Sequence, residues 1–315
     1  MDIQKLYSDL CQINRPSDDS YSVIKHNDSF FGVTKEGYVL FAKESHNKKI
    51  RTVSQQTKKL FLGTNMICKI SNQTGHQIEH FDVLMCQDMG VASVFAFLHL
   101  ALVYTEDDND SSISIRDLFD SLRNMFANKQ KLPMLELQGL FAELYLIDFI
   151  QNEIPNIANY WQSMDKMKFD FSITESKKIE VKSSTNDSRI HKFRHEQLVS
   201  DIYETWIVSV MLRKDDKGLS LYELVERVKN NHSSNLKIHS KLAELLFNYS
   251  VDELDSIKFN EYYIQKNLGF YKTDDIPKFP DKQPRGVFNT EYDSDLSGLI
   301  SRTFSELCDW IKNSL

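Results

Sequence analysis

Residues 166–197 read KMKFDFSITESKKIEVKSSTNDSRIHKFRHEQ, and two parts of this segment alternate apolar with polar residues. The alternation covers residues 169–173 and 179–184, and it has the period typical of half-buried strands. We predict an antiparallel hairpin whose loop has an odd number of residues. Only that register places Asp170 and Glu180 on the same face of the sheet.

The polar face of this predicted hairpin carries charges that have a chemical use. Asp170, Glu180 and Lys182 project from it, and two carboxylates held a few ångströms apart repel each other. A hard divalent cation relieves that repulsion, and Mg2+ or Mn2+ fits best because such ions keep waters for substrate contact. The Lys182 ammonium is placed to orient or help to deprotonate an attacking water.

A third acid lies in a strongly apolar segment before the hairpin. Pro133 is expected to begin a helix, and Glu143 lies in this helix between Leu140 and Ile147. A buried carboxylate needs a metal, a cation or a hydrogen-bond network, because burial without a partner disfavours its charged form. Pairing with a lysine or arginine for structure alone is the alternative for Glu143.

These residues resemble the PD-(D/E)XK nuclease motif. Asp170 is followed by nine residues and then by E-V-K at 180–182, while Glu143 lies in G-L-F-x-E-L and Gln197 in H-x-F-x-x-x-Q-L. The sequence is similar to a bacterial PD-(D/E)XK family of restriction and defence loci, and the similarity covers roughly residues 133–210. One departure is Phe169, which stands where the motif has proline.

The resemblance implies a Mg2+-dependent or Mn2+-dependent endonuclease that cleaves DNA in restriction or phage defence. It implies that Lys182 assists the attacking water and that Gln197 orients the site or contacts a phosphate. It leaves open partners of the helicase-like or MutL-like ATPase type, encoded in the same defence locus, and a homodimer. The metal ligands that it implies are Asp170, Glu180 and Glu143.

Two other functions stay open. The chain could be a catalytically silent nucleic-acid-binding or scaffolding subunit of a multi-protein defence complex, or a globular protein in which the motif arose by chance. The joint presence of Asp170, Glu180 and Lys182 argues against a silent subunit.

The segment between residues 177 and 195 is locally basic. The whole chain has a formal net charge of −7, so DNA binding must come from a local patch of this kind. A solvated loop is the alternative interpretation. The side chains predicted to contact phosphates are Arg189, His191, Lys192 and Arg194.

The composition, 41% hydrophobic and 26% charged over 315 residues, is that of a globular protein large enough for two domains. We predict an α+β or α/β protein with a small antiparallel β domain over residues 1–90. An apolar helix and an acidic hinge should follow over 91–112. Residues 113–315 should then form a restriction-endonuclease-like mixed sheet flanked by helices, with a buried central strand at 205–212.

A C-terminal extension of helices and strands should complete this second domain. Amphipathic helices are predicted at 219–230, 236–247 and 296–312. Strand character is predicted at 258–272 and 285–293.

The remaining signals exclude several classes of protein. Four scattered cysteines without a C-x-x-C pair suggest neither a disulfide framework nor a zinc ribbon, which favours the cytoplasm. No signal segment opens the sequence, and the longest apolar run, 91–103, is too short to span a bilayer, so no membrane association is expected.

Overall fold

The computed structural model describes residues 2–45, 51–72, 75–106, 113–127, 130–162, 168–280 and 283–314. Its helices are α1 (Ile3–Gln12), α2 (Val91–Glu106), α3 (Ile115–Ala127), α4 (Met134–Ile150), α5 (His195–Leu198), α6 (Leu221–Asn231), α7 (Leu236–Leu246), α8 (Val251–Asp255), α9 (Glu261–Lys266) and α10 (Phe304–Lys312). Its strands are β1 (Tyr21–His26), β2 (Ser29–Val33), β3 (Val39–Glu44), β4 (Val53–Gln56), β5 (Leu60–Asn72), β6 (Gly75–Cys86), β7 (Phe171–Ser172), β8 (Lys177–Ser184), β9 (Ile190–Arg194), β10 (Glu204–Met211), β11 (Lys214–Ser220), β12 (Lys258–Phe259), β13 (Gly269–Lys272) and β14 (Glu291–Asp295).

The chain forms two compact units that both mix helices with strands, which confirms the predicted α+β class. The first unit comprises Met1–Lys131 with Ser233–Asn248. The second comprises Leu132–His232 with Tyr249–Leu315. Among the described residues, no helix is long and apolar enough to cross a bilayer.

The first unit is built on the predicted, mainly antiparallel N-terminal sheet. Its order over the described residues is β1-β2-β3-β6-β5-β4. A short parallel pairing of Tyr21 and Ser22 with Ile70 and Ser71 also joins β1 to β5, so the sheet closes on itself. One face buries Phe30 and Leu40 together with other apolar side chains of the strands, while the opposite face packs against α1, α2, α3 and α7.

The extent of the first unit differs from the predicted domain boundary near residue 113. Both α3 and α7 belong to the first unit, where Leu118 and Leu236 are buried in the apolar cluster shared with α2. His99 Nε2 also lies 2.9 Å from His239 Nδ1. Amphipathic spacing reveals that a helix has a buried face but not which core covers it. Residues 107–110 of the predicted acidic hinge lie outside the described residues.

A mixed sheet of order β13-β10-β8-β7 forms the centre of the second unit. The hairpin of β7 and β8 is antiparallel, as predicted, and its last paired positions, Ser172 and Lys178, leave residues 173–177 between them, an odd number. Strand β10 lies beside β8 and parallel to it. Residues 205–211 of β10 are buried, as predicted for a central strand.

Helix α4 packs on β8, and Pro133 stands immediately before its first turn. Apolar side chains cover most of its circumference, so the helix is largely buried. Gln138 Nε2 on α4 donates a hydrogen bond of 3.2 Å to Ser183 Oγ on β8. Helix α4 also carries Glu143, whose charge acts on the carboxyl group of Asp170.

The C-terminal strand prediction is wrong in part, because helix α9 interrupts residues 258–272. Asn260 caps this helix by accepting a hydrogen bond from the backbone N–H of Tyr263. That cap, with Glu261 in the first turn, outweighs the strand preference of the aromatic residues that follow. Of the other predicted strand, 285–293, only the part from Glu291 onward is formed, as β14, which pairs with β9.

Candidate active site

Asp170 lies immediately before β7, and the main chain holds it on both sides. Continuing the β7–β8 register by one residue places it opposite Glu180. The backbone N–H of Val181 donates a hydrogen bond of 2.6 Å to Asp170 Oδ2. The backbone carbonyl of Asp170 accepts a second hydrogen bond, of 2.7 Å, from the N–H of Gln162.

The carboxyl group of Asp170 sits in an unfavourable electrostatic environment. Although the residue is partly accessible, protein atoms surround the carboxyl group, and this burial raises its pKa well above the ordinary value. The charges of Glu180 and Glu143 raise the pKa of Asp170 further, while the Val181 N–H and the Lys182 ammonium lower it. The charges of Glu180 and Glu143 therefore both act on Asp170.

Glu180 and Lys182 form a close ion pair on the same face of β8. The Glu180 side chain is 7% exposed, and its Oε1 lies 2.6 Å from Lys182 Nζ. Lys182, with 21% of its side chain exposed, also donates to Gln197 Oε1 at 3.4 Å and lies over the ring of Phe193. Its ammonium is thus held in position but still reaches solvent.

Gln197 is buried at the start of α5 and links three parts of the site. Its Oε1 accepts a hydrogen bond of 3.0 Å from the backbone N–H of Arg194 as well as the contact from Lys182. Its Nε2 donates 3.2 Å to the carbonyl of Lys168, two residues before Asp170. These contacts fit the predicted orienting role better than a phosphate contact.

Glu143 approaches the site from α4, and a tryptophan holds it there. The indole N–H of Trp161 donates a hydrogen bond of 2.6 Å to Glu143 Oε2. The sequence pattern around Trp161 does not indicate that it contacts a site residue. The signal available was chemical, because a buried tryptophan usually finds a partner for its N–H.

The residues present fit a divalent ion, but not as a ready-made cage. Within the described ranges, no three His, Cys, Asp or Glu side chains form a group that could hold a metal ion. Mg2+ is commonly held by one or two carboxylates, with water and substrate phosphates completing its shell. Asp170 and Glu180 suit that arrangement, with Glu143 placed to hold a ligand water. That these three residues bind a metal stays a prediction.

Two of the predicted phosphate contacts point into the protein instead. His191 is buried with its Nε2 2.6 Å from Ser209 Oγ. Burial first, then the charges of Arg189 and Lys182, lower the pKa of His191 to about 4, so the ring is neutral at neutral pH. The Arg189 guanidinium donates to Ser209 Oγ at 2.8 Å and to the carbonyl of Asn267 at 2.6 Å. Both side chains are used for internal structure.

The other two predicted phosphate contacts are exposed but face acids. Lys192 and Arg194 lie on β9, where β14 places Asp293 and Glu291 opposite them. Arg194 Nε is 3.5 Å from Glu291 Oε1. The exposed positions of β14 also include Asp295, so two cations are matched by three acids. The predicted cationic patch is therefore neutralised by a strand about a hundred residues later in the chain.

The chain carries an acid before one strand, E-x-K on its antiparallel neighbour, and a glutamate on a helix packed against the sheet. This is the order that the resemblance to the PD-(D/E)XK motif implies, and the catalytic role of these residues stays a prediction. The model of one protein family, described as "Putative PD-(D/E)XK family member, (DUF4420)", matches residues 21–297. The chain belongs to this family, which confirms the resemblance seen in the sequence and extends it into the first unit. No curated protein and no solved structure matches the chain.

Proposed function

We propose that the chain is a nuclease that hydrolyses phosphodiester bonds of DNA with Mg2+ or Mn2+. The observation that carries the proposal is the position of Asp170 opposite Glu180 in the β7–β8 register, where burial and the charges of Glu180 and Glu143 raise the pKa of Asp170. Grouped acids destabilise a fold, so such a group beside a positioned lysine favours a functional explanation. Membership of the PD-(D/E)XK family supports the same reaction class.

In this proposal Asp170 and Glu180 hold the ion, and Glu143 holds a water of its shell. The ion, when bound, supplies Lewis-acid activation of water and of the phosphate. Lys182 holds or moves a proton of the attacking water, or stabilises charge on the phosphate. Gln197 keeps the Lys182 ammonium on the correct side of β8 through the 3.4 Å contact.

We place this activity in restriction or phage defence, together with ATPase partners of the helicase-like or MutL-like type. The support is the resemblance of the motif to that of a family of defence loci, together with the surface formed by β9 and β14, where two cations face three acids. Because Lys192 and Arg194 face acids, that surface offers little attraction for the DNA backbone. A partner that holds DNA would supply the missing affinity.

A catalytically silent scaffolding subunit is the second candidate. The observation in its favour is the ion pair between Lys182 and Glu180, in which the two groups satisfy each other without an ion. The lack of a three-ligand group among the described residues points the same way. A silent subunit would need neither metal nor an accessible lysine.

The decisive experiment measures cleavage of supercoiled plasmid and linear DNA by the purified protein with Mg2+ or Mn2+. A second series adds the partner ATPases with ATP. We expect cleavage by the wild type and none by Asp170→Ala. The matched control is Asp216→Ala, which removes an exposed aspartate from β11 and should cleave like the wild type. Equal cleavage by Asp170→Ala would exclude this site, and no cleavage in either series would favour the silent subunit.

A further inference from the structure

The short segment of Trp161 and Gln162 contacts both acids that do not lie on β8. The Trp161 indole donates to the carboxylate of Glu143 at 2.6 Å. The next residue, Gln162, donates its backbone N–H to the carbonyl of Asp170 at 2.7 Å. The backbone of Trp161 also forms an isolated antiparallel β-bridge with Phe171, the residue after Asp170. Two adjacent residues therefore connect Glu143 on α4 with Asp170 at the start of the hairpin.

Trp161 is well fixed for such a role. Its side chain is fully buried, and it directly follows a short 3-10 helix over Ile157–Tyr160. Glu143 is only half-buried and has a flexible side chain, so several directions are open to its carboxylate. A short hydrogen bond to a carboxylate is charge-assisted and directional, and it selects one of these directions.

We propose that Trp161 is a positioning residue that holds the Glu143 carboxylate toward Asp170, and that Gln162 ties Asp170 to the same segment. The inference rests on the proposed nuclease function for its purpose, but the contact itself can be tested without it. Groups that orient metal ligands typically change metal affinity by about 10- to 100-fold when removed. Loss of the Trp161 indole N–H should therefore lower the affinity for the metal ion while the protein still folds.

The chain contains a matched control for this hydrogen bond. Trp310, on α10 of the same unit, donates its indole N–H to Glu204 Oε1 at the same distance of 2.6 Å. Glu204 begins β10 and is not one of the proposed site residues. The substitutions W161F and W310F each remove one indole donor to a carboxylate, and only the first removes it at the site.

The first measurement is Mn2+ affinity without DNA, by electron paramagnetic resonance, with folding checked by circular dichroism. We expect W161F to bind Mn2+ at least about tenfold more weakly than the wild type, and W310F to bind it like the wild type. DNA cleavage by W161F should recover at saturating Mn2+, because Lys182 is unchanged. Equal Mn2+ affinity in W161F, W310F and wild type would overturn the positioning role.

The second measurement observes the Trp161 indole in proteins that keep this residue. It therefore requires neither a bound metal nor a folded W161F variant. In 1H–15N spectra, the indole signal of Trp161 should move in E143Q and stay unchanged in D293N. An unmoved signal in E143Q would overturn the inference whatever the metal does. Absence of Mn2+ binding by the wild type, with the indole signal still moving, would instead refute the nuclease proposal and leave the contact established.

Discussion

The β7–β8 hairpin and the β9–β14 ribbon, both in the second unit, use charge in opposite ways. In the hairpin, Asp170 faces Glu180, and burial with a like charge raises the pKa of Asp170. In the ribbon, Arg194 faces Glu291, so opposite charges meet across the strands. Cross-strand attraction contributes to stability, whereas cross-strand repulsion costs it.

The difference shows how a functional cluster can be distinguished from a merely charged segment. In the ribbon, each of the two cations on β9 faces an acid on its partner strand β14. In the hairpin, Lys182 pairs with Glu180, while burial and the charges of Glu180 and Glu143 all disfavour the ionised form of Asp170. Excess charge of one sign in a partly closed site favours a counter-ion.

The largest effect should follow from Asp170→Asn, which keeps the shape of the side chain and removes its charge. We expect cleavage to be lost, while the metal-free protein becomes more stable at neutral pH, because burial and the charges of Glu180 and Glu143 raise the pKa of Asp170. A raised pKa means that the folded state binds the proton more tightly. Wild-type stability should therefore fall as the pH rises from 3.8 through the raised pKa of Asp170.

Chemical denaturation of both proteins across that pH range measures this effect. The stability difference between Asp170→Asn and the wild type should grow with pH and then level off. If the two proteins show the same pH dependence, the repulsion in the hairpin is not as described, and the contrast with the ribbon is lost.

Lys182→Ala should lower the cleavage rate by about two orders of magnitude, the usual scale for a positioned proton-transfer or charge-stabilising group. From the sequence alone, divalent ion binding is expected to be nearly unchanged in this variant. The 2.6 Å ion pair alters that expectation, because the variant frees Glu180. We expect Mn2+ affinity to rise about tenfold, the scale of one charge-assisted hydrogen bond. Titration calorimetry measures the Mn2+ affinity of the variant, and an affinity weaker than that of the wild type would contradict the ion pair between Lys182 and Glu180.

His191→Gln should reduce the acid sensitivity of the fold. The pKa of His191 is lowered from 6.5 to about 4 in the folded protein, so the unfolded chain binds the proton more readily between these values. Wild-type stability should therefore fall as the pH drops from 6.5 to about 4, and the variant should lose less. Urea denaturation at pH 7 and pH 4.5 measures the difference. If His191 instead bound phosphate, the His191→Gln variant would bind DNA more weakly and would keep the acid sensitivity of the wild type.

The smallest effects should appear in the ribbon. Arg194→Glu and Glu291→Arg should each destabilise the fold by about 0.5 kcal/mol, and the double exchange should restore most of this loss. Thermal denaturation of the three variants forms a double-mutant cycle. A coupling near zero would show that Arg194 is free to meet a phosphate after all.

Much of the site could be predicted because patterns between neighbouring residues in the sequence determine it. The alternation over residues 169–173 and 179–184 indicates the β7–β8 hairpin and its register, and Pro133 marks the start of α4. A period of two fixes which side chains share a face once the partner strand is known. The family resemblance then assigned Glu143 and Gln197, whose positions no periodicity could relate to Asp170.

What could not be predicted depends on distant parts of the chain. The acids of β14 neutralise Lys192 and Arg194, yet nothing near residue 190 indicates that residues 291–295 will lie beside them. Trp161 contacts Glu143 only because the packing of α4 brings them together. A local sequence pattern shows which side chains share a surface, but which surfaces contact each other depends on the whole fold.

The membership of α7 in the first unit has a consequence for the timing of synthesis. Helix α7 begins at Leu236, whereas the rest of the first unit ends at Lys131. At about 5–20 residues per second, translation needs roughly 5–20 seconds to cover that gap. Throughout this interval, the apolar surface that Leu236 and Phe247 later cover stays without its partner. The nascent first unit therefore stays incomplete while β7, β8, β9 and β10 of the candidate site are synthesised, because α7 follows them in the chain.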